Sequence, residues 1–343
     1  MSTRISGMGW VTPLGADLEV VWERLANGDV AESKPVANPE SGRVHQCRMV
    51  PPKLVEHLAR NPRLRRSSAI SYFAVTAALR AMEHAGLQMT PDIAQRTAVI
   101  FAVSDGGVIY TRKFYDQIVK QGANAASPLL FPETVYNAPA SHLAAQLGID
   151  GASYTLVGDA SVGLAAVQFG EQLLALNEVD HCVVVACEEL DWILCEAYQD
   201  WHFARLPLAE GAAALVLSRN GRLSIETTGG VPFFKQRDAG NAMRTALSRL
   251  TSTAEIDFLV SCDNGTFIDR AVASALEQTI PPIAQPPATP KQALGEMLAA
   301  SGLVNVIYAA LRLEKSGGHR ALVPVLGLNH QADAALVEFQ PNA

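Results

Sequence analysis

Stretches with no polar face alternate with amphipathic stretches along this chain. Residues 97–103 and 181–187 are almost wholly apolar, a pattern typical of strands that are covered on both faces. Apolar residues recur every three or four positions in 18–25, a spacing that predicts an amphipathic helix. The alternation of such strands with helices favours the α/β fold class.

The remaining elements follow from the same patterns and from glycine and proline turns. Strands are predicted at 4–11, 212–218, 223–228, 258–262, 322–328 and 335–339. Helices are predicted at 66–86, 108–120, 138–147, 163–176, 238–250, 267–278 and 292–315, the last with an interruption at 300–302. These elements form two sets, which predicts a five-layered α/β/α/β/α sandwich with halves at residues 1–220 and 221–343.

Two stretches lack a clear pattern. Residues 28–66 are polar and carry prolines, which indicates a surface excursion, and the aromatic, acidic stretch at 191–202 indicates a surface or interface loop.

One segment, Tyr154–Gly163, has the form of a catalytic elbow. An apolar strand stops at a small-residue turn, and an alanine- and leucine-rich helix begins at once. Such elbows present a nucleophile where backbone N–H groups and a helix N-terminus favour developing negative charge. The residue expected at the tip, after Asp159, is Ala160, so the elbow has no nucleophile there.

Composition excludes several classes of function. A formal charge of −7 and the lack of a basic cluster argue against a nucleic-acid surface, and no apolar run is long enough to span a bilayer. The five cysteines are scattered, so buried thiols are favoured over a metal site. We therefore expect a cytoplasmic protein without metal or cofactor.

The motifs resemble those of the β-ketoacyl-ACP synthases, which have the thiolase fold. The resemblance covers nearly the whole chain and rests on the following stretches: Ile5–Gly9 with Thr12–Gly15, Asp105–Gly107, Ser127-Pro128 with Pro132, Asn137 and His142, the elbow, Glu210–Ala212, Asn264–Thr266 with Asp269, and Lys291 with Gly295, Leu298 and Gly302. The resemblance implies a Cys nucleophile and two His that support decarboxylation of a malonyl thioester.

This chain departs from that pattern at each catalytic position. Ala160 stands at the Cys position, and Asn264 and Glu296 stand at the two His positions, whereas the motif lysine, Lys291, is retained. The glycine-rich loop before the last strand is replaced by residues 327–331. Condensation needs a thiol to carry the acyl chain and donors for the enolate and oxyanion. The chain is therefore not expected to condense acyl groups alone.

The resemblance implies a role in a complex. Chain-length factors of this family lack the Cys, pair with an active ketosynthase and shape the tunnel for the growing acyl chain, although the best-known ones carry Gln where this chain has Ala160. We expect a silent subunit of a type II fatty-acid or polyketide system, including the aryl polyene type. Its expected partners are a Cys-bearing ketosynthase homologue and an acyl carrier protein with its phosphopantetheine-bound acyl chain.

The tunnel is expected beside the turn and helix that begin at Asp105. Val108, Thr111 and Tyr115 share one helical face by their spacing, and Leu130 and Phe131 lie in the loop that reaches toward it. Bulky side chains at these positions would close the tunnel and small ones would extend it. Simple core packing is the alternative for each residue.

Two rival functions remain open. In one, the scaffold is a hydrolase, dehydratase or acyltransferase that uses Asp159, Ser161 or Glu296; the plainer interpretation is that Asp159 caps the elbow helix and Ser161 lies in its first turn. In the other, the chain is a homodimeric acyl-ACP-binding protein.

Overall fold

The computed structural model describes residues 3–202, 205–253, 255–328 and 331–340. The strands are β1 Thr3–Val11, β2 Lys34–Ala37, β3 Val44–Cys47, β4 Thr97–Val103, β5 Ser153–Val157, β6 His181–Glu188, β7 Gly211–Ser218, β8 Leu223–Thr227, β9 Val231–Pro232, β10 Phe258–Leu259, β11 Arg320–Leu326 and β12 Gln331–Phe339. The α-helices are α1 Leu18–Ala26, α2 Ala69–His84, α3 Pro91–Gln95, α4 Val108–Gln121, α5 Ala138–Leu147, α6 Val162–Ala175, α7 Trp192–Asp200, α8 Ala239–Leu247, α9 Phe267–Thr279, α10 Pro290–Leu294 and α11 Ala299–Ser316.

The main sheet contains one strand pattern twice. Its order is β10-β11-β12-β8-β1-β7-β6-β4-β5, and β9 pairs with β12. Strand β4 is parallel to β6, and β7 and β1 follow in antiparallel pairing. Likewise β10 is parallel to β11, and β12 and β8 follow in antiparallel pairing. The two sets meet where β1 pairs with β8 over Thr3–Ile5. The boundary between residues 220 and 221 stays a prediction.

Helices fill three layers around these strands. Helices α6 and α11 share a core with residues of both strand sets, so they form the central layer. Helices α2 and α5 cover the other face of the first set, and α8 and α9 cover the second. The five-layered sandwich expected from the sequence is confirmed.

Strand β6 shows why its sequence has no polar face. Cys182, Val184 and Ala186 face the central helices, whereas Val183 and Val185 face α2 and its neighbours. Because successive side chains of a strand point to opposite faces, a strand between two helical layers must be apolar throughout.

The predicted interruption of the last helix is wrong in position. The break lies at Gly295–Leu298, where Gly295 and Leu298 have positive φ angles of 97° and 45°, and not at residues 300–302. Glu296 lies in the break and forms an isolated β-bridge with Leu208. Because of this pairing, the backbone of Glu296 is not helical. Residues 300–302 are part of α11.

Both unpatterned stretches contain more structure than their composition indicates. Residues 28–66 include the β2–β3 hairpin, whose Cys47 is buried, and two short 3-10 helices. Residues 192–200 form helix α7, and the Asp191 carboxylate accepts a hydrogen bond from the Ile193 backbone N–H. Four-residue strands and a nine-residue helix give weak periodic signals, and their tertiary contacts stabilise them.

The five cysteines are buried and free, as the scattered spacing predicts. Within the described ranges, no helix combines the length and the apolar character needed to cross a membrane.

Helices α6 and α11 pack closely because glycine occurs at the contact. A Cβ atom added at Gly302 would lie 2.9 Å from the backbone oxygen of Ala160, and one added at Gly163 would lie 2.6 Å from Leu303. The absence of both side chains brings the elbow against α11.

We expect Gly302→Ala to lower the free energy of unfolding by about 1–3 kcal/mol, because the new methyl group meets backbone that cannot move aside cheaply. Urea unfolding measures the change. The control is Gly240→Ala in α8, where the nearest atom to the added Cβ is 3.5 Å away and helix propensity favours alanine. A Gly302→Ala protein as stable as the natural one would contradict this packing account.

Candidate active site

The elbow has the geometry that the sequence predicts. Strand β5 ends at Val157, and α6 begins at Val162. Ala160 lies between them and is 9% exposed, in the hydrophobic core cluster around the central helices. A methyl group therefore occupies the position from which an elbow presents its reactive side chain.

Asp159 and Ser161 both stabilise the turn. The Asp159 Oδ1 atom lies 3.3 Å from the backbone N of Ser161 and 3.4 Å from its Oγ. The Ser161 Oγ atom also lies 3.3 Å from Gln331 Oε1. Ser161 is the N-cap of α6 rather than a first-turn residue, and Asp159 accepts from the N–H of that cap. The partners of the Ser161 hydroxyl are an amide oxygen and a carboxylate oxygen.

The loop after β11 approaches Asp159 closely. A Cβ atom added at Gly327 would lie 2.1 Å from Asp159 Oδ1, so this position admits only glycine without a shift of the loop or the carboxylate. Residues 329 and 330 of the altered loop lie outside the described residues.

Glu296 is held in a buried ion pair. Its Oε2 atom lies 2.6 Å from Lys291 Nζ, and its Oε1 atom accepts from Ser301 Oγ at 2.7 Å and from the Leu298 N–H at 3.1 Å. Lys291 also donates to the Cys262 carbonyl at 3.1 Å. Burial lowers the pKa of Lys291, but the nearby Glu296 carboxylate and the other negative groups outweigh burial and raise it.

Asn264 is buried, and its side chain holds the turn that precedes α9. Its side-chain oxygen accepts from the Thr266 hydroxyl at 2.6 Å and from the Thr266 N–H at 3.2 Å. The Thr266 hydroxyl in turn caps α9. The Asn264 carboxamide oxygen therefore stabilises the turn before α9.

One segment, residues 205–208, joins the two positions where the family pattern has His. The Arg205 N–H donates to the Asn264 carbonyl at 2.9 Å, and the Glu296 N–H donates to the Pro207 carbonyl at 2.9 Å. This segment borders a cavity of about 430 Å³, which is also lined by residues of β3 and α7.

A group of buried acids lies near the elbow, and of its members only Asp105 was predicted from the sequence, as a tunnel residue. Glu188 is fully buried, accepts from the N–H groups of Ser104 and Asp105, and has a pKa raised well above its usual value by burial and by the Asp105 carboxylate. Burial raises the pKa of Asp105 to about 6, although Tyr198, whose hydroxyl lies 3.5 Å away, lowers it.

Tyr198 is affected electrostatically both by this group of acids and by Asp159 of the elbow. Burial raises its pKa, and the carboxylates of Asp105, Glu188, Asp159 and Glu296 raise it further in that order. All four acids thus act on the same phenol, and the Asp105 carboxylate lies 3.5 Å from its oxygen. The sequence indicated this group through two acids, Glu188 and Glu189, that directly follow a wholly apolar stretch. It gave no indication of Tyr198, because α7 was interpreted as a loop.

Two more carboxyl groups are buried beside this group. Burial raises the pKa of both Glu189 and Glu210 to about 7. Glu189 accepts from the Ser68 hydroxyl and from two backbone N–H groups, and Glu210 accepts from the Val50 N–H at 3.0 Å. Glu210 thereby fixes the segment after β3.

The predicted tunnel residues extend from the interior to the surface. Val108 is buried at the start of α4, and the Thr111 hydroxyl donates to the Gly107 carbonyl at 2.9 Å. Tyr115 and Phe131 are 59% and 55% exposed, and Leu130 is half-buried. Asp105 faces Tyr198, as described above. The tunnel assignment stays a prediction.

Comparison with known proteins places this chain in a family. The family model for the beta-ketoacyl synthase N-terminal domain matches residues 3–221, and the chain belongs to this family. The 3-oxoacyl-[acyl-carrier-protein] synthase 2 of Coxiella burnetii is 22% identical over 384 residues, which cover 98% of this chain and 91% of the relative. The enzyme of the same name from Rhizobium meliloti is 23% identical with the same coverage.

Solved structures share the fold at low sequence identity. The ishigamide ketosynthase/chain length factor gives a TM-score of 0.80 at 18% identity and covers 99% of this chain and 100% of its own. A ketosynthase in complex with its chain length factor from Xenorhabdus doucetiae gives 0.79 at 16% identity and covers 98% of each chain. These likenesses confirm the thiolase-like fold.

We expect Lys291→Met to lower the free energy of unfolding by about 3–5 kcal/mol, because Glu296 loses its counter-charge in the interior. Adding Glu296→Gln should restore most of the loss, since the amide keeps an acceptor for Ser301. Urea unfolding checks both, with the exposed Lys53→Met as control. A double variant no more stable than Lys291→Met would contradict the pairing.

Asp105 should make stability depend on pH. Its folded-state pKa of about 6 lies above the ordinary 3.8, so the folded protein holds this proton more tightly than the unfolded chain. The contribution of Asp105 to the free energy of unfolding should therefore fall by roughly 1–3 kcal/mol as pH rises from about 4 to about 6. The Asp105→Asn variant should lack this part of the pH dependence. Unfolding across this range measures it, with the exposed Asp92→Asn as control; an unchanged slope in Asp105→Asn would refute the assignment.

Proposed function

We propose that this chain is a catalytically silent, chain-length-factor-like subunit that pairs with an active β-ketoacyl-ACP synthase and shapes its acyl tunnel. The setting is a type II fatty-acid or polyketide system, including the aryl polyene type. The observation that carries the proposal is an intact elbow whose tip is the non-nucleophilic Ala160. Beside it, Glu296 is bound in an ion pair with Lys291.

Electrostatics supports silence at this site. A carboxylate at Glu296 places negative charge where condensation would need donors for an enolate. The ion pair with Glu296 also neutralises the charge of Lys291. The side-chain oxygen of Asn264 accepts a hydrogen bond from Thr266. The chain retains the scaffold of the site while its polar groups stabilise the fold.

The edge of strand β5 supports a protein partner. This strand ends the sheet and, among the described residues, pairs with β4 alone. Its sequence, SYTLV, carries no charge, and Val157 is 54% exposed. An uncharged, open edge of this kind invites pairing with another chain.

Exposed apolar side chains extend this edge. They come from α4 and from the loop between α4 and α5, and they are Tyr115, Val119, Leu129, Phe131, Val135 and Tyr136. Tyr136 lies against Gly106, next to the carboxyl end of β4, where Val103 pairs with Val157. Large exposed apolar side chains near an open strand edge favour a protein–protein interface.

The partner fits the kind of complexes that similar folds form. One solved relative is a ketosynthase in complex with its chain length factor, and another is a type II polyketide acyl carrier protein in complex with its ketosynthase. A Cys-bearing homologue on the β5 edge would place its own elbow beside α4 of this chain. The residues from Val108 to Tyr115 would then line or close the shared tunnel.

We expect Val157→Asp to weaken binding to the ketosynthase partner at least 100-fold, because a carboxylate in a strand edge must be desolvated on pairing. Co-purification and titration with the co-expressed partner measure it. The matched control is Phe234→Asp, at an 89% exposed apolar position in the connection between β9 and α8. Equal affinity of Val157→Asp and the control would contradict the proposed interface.

The rival catalytic hypothesis is tested in the same complex. Ser161→Ala and Glu296→Gln should leave product formation by the assembled complex within a few-fold of normal, whereas Cys→Ala in the partner should abolish it. Loss of product with either variant of this chain, while the complex stays intact, would favour new chemistry at Asp159, Ser161 or Glu296.

A further inference from the structure

Two thiols from distant parts of the chain meet beside the cavity at residues 205–208. Cys47 ends β3 and Cys195 lies in α7, and their Sγ atoms are 3.3 Å apart although 148 positions separate them. The two residues are 1% and 3% exposed. By contrast, Cys182 and Cys187 have backbone carbonyl oxygens as their thiol partners.

The surroundings of this thiol pair are apolar but reachable. Leu190, Leu208 and Leu298 form its core cluster. Both cysteines also line the cavity of about 430 Å³, together with Tyr198 and Gln199 of α7. The thiol pair therefore lies at the wall of this cavity, the side from which a small reagent can approach it.

The contact between the two thiols shifts their pKa values in opposite directions. The two thiols share a hydrogen bond in which either can be the donor. This contact lowers the pKa of Cys47, although burial raises it. The same contact, together with burial, raises the pKa of Cys195. Because the thiolate is the nucleophile, these directions favour Cys47 as the attacking thiol.

We propose that Cys47 and Cys195 form a reversible dithiol–disulfide site, which a small disulfide such as oxidised glutathione converts to a covalent link between β3 and α7. The Cys47 thiolate attacks one sulfur of the small disulfide and displaces one thiol. Cys195 then loses its proton and attacks the Cys47 sulfur, which displaces the second thiol. Two electrons pass from the protein dithiol to the small disulfide, and the two thiol protons pass to the leaving groups.

The geometry needs little rearrangement for this step. A disulfide bond is about 2.05 Å long, so the sulfur atoms must approach by roughly 1.2 Å. In the reduced chain, polar contacts at the surface also hold the hairpin to α7, namely Asn38 to Glu196 at 2.8 Å and Arg43 to Asp200 at 3.0 Å. A covalent link would fix α7, and with it Tyr198, whose hydroxyl lies 3.5 Å from the Asp105 carboxylate.

The test uses the full chain with oxidised glutathione, followed by alkylation of the unfolded protein and mass spectrometry. Of five cysteines, three should remain alkylatable, and a Cys47–Cys195 peptide should appear and disappear again with dithiothreitol. Cys195→Ser should stop at a glutathione adduct on Cys47, whereas Cys182→Ser should still form the link. Five alkylatable thiols after treatment, or a link to another cysteine, would overturn the proposal.

A second readout tests the mechanical consequence. Amide hydrogen exchange in residues 192–200 should slow at least tenfold in the oxidised chain relative to the reduced chain, and this difference should vanish in Cys195→Ser. Equal exchange in both forms would overturn the coupling of β3 to α7.

Discussion

The buried pair of Lys291 and Glu296 determines what this site can do. A lysine and a glutamate without solvent must neutralise each other, since either charge alone would cost several kcal/mol. The pair lies at the break between α10 and α11, and Ser301 and the Leu298 N–H complete the shell of Glu296. Both charges of the pair are therefore part of the fold.

Around this pair the scaffold of a condensing enzyme is preserved. Gly163 and Gly302 hold the elbow against α11, and the segment at 205–208 joins Asn264 to Glu296 through backbone hydrogen bonds. The proposed role as a subunit of a complex rests on this scaffold combined with Ala160 at the tip of the elbow. In that proposal, the open edge of β5 and the exposed apolar side chains of α4 form the contact with the partner.

The sequence was most informative where burial acts on whole elements. Strands such as Thr97–Val103, buried on both faces, have no polar position, and the elbow has its own small-residue pattern, so both were predicted with their correct bounds or nearly so. Helix α7 and the break at Gly295–Leu298 were not, because tertiary contacts with β3 and Leu208 determine them. The Asp105–Glu188–Tyr198 group was missed for the same reason: its members come from three elements that meet only in the folded chain.

Native mass spectrometry of the tagged protein, purified gently from its own cells, tests the central claim most directly. The account predicts a one-to-one complex with a Cys-bearing ketosynthase homologue, and an acyl group from acyl carrier protein bound to the partner's cysteine with none on the elbow peptide around Ala160. A homodimer at every salt concentration tried, or an acyl group on this chain's elbow, would contradict it.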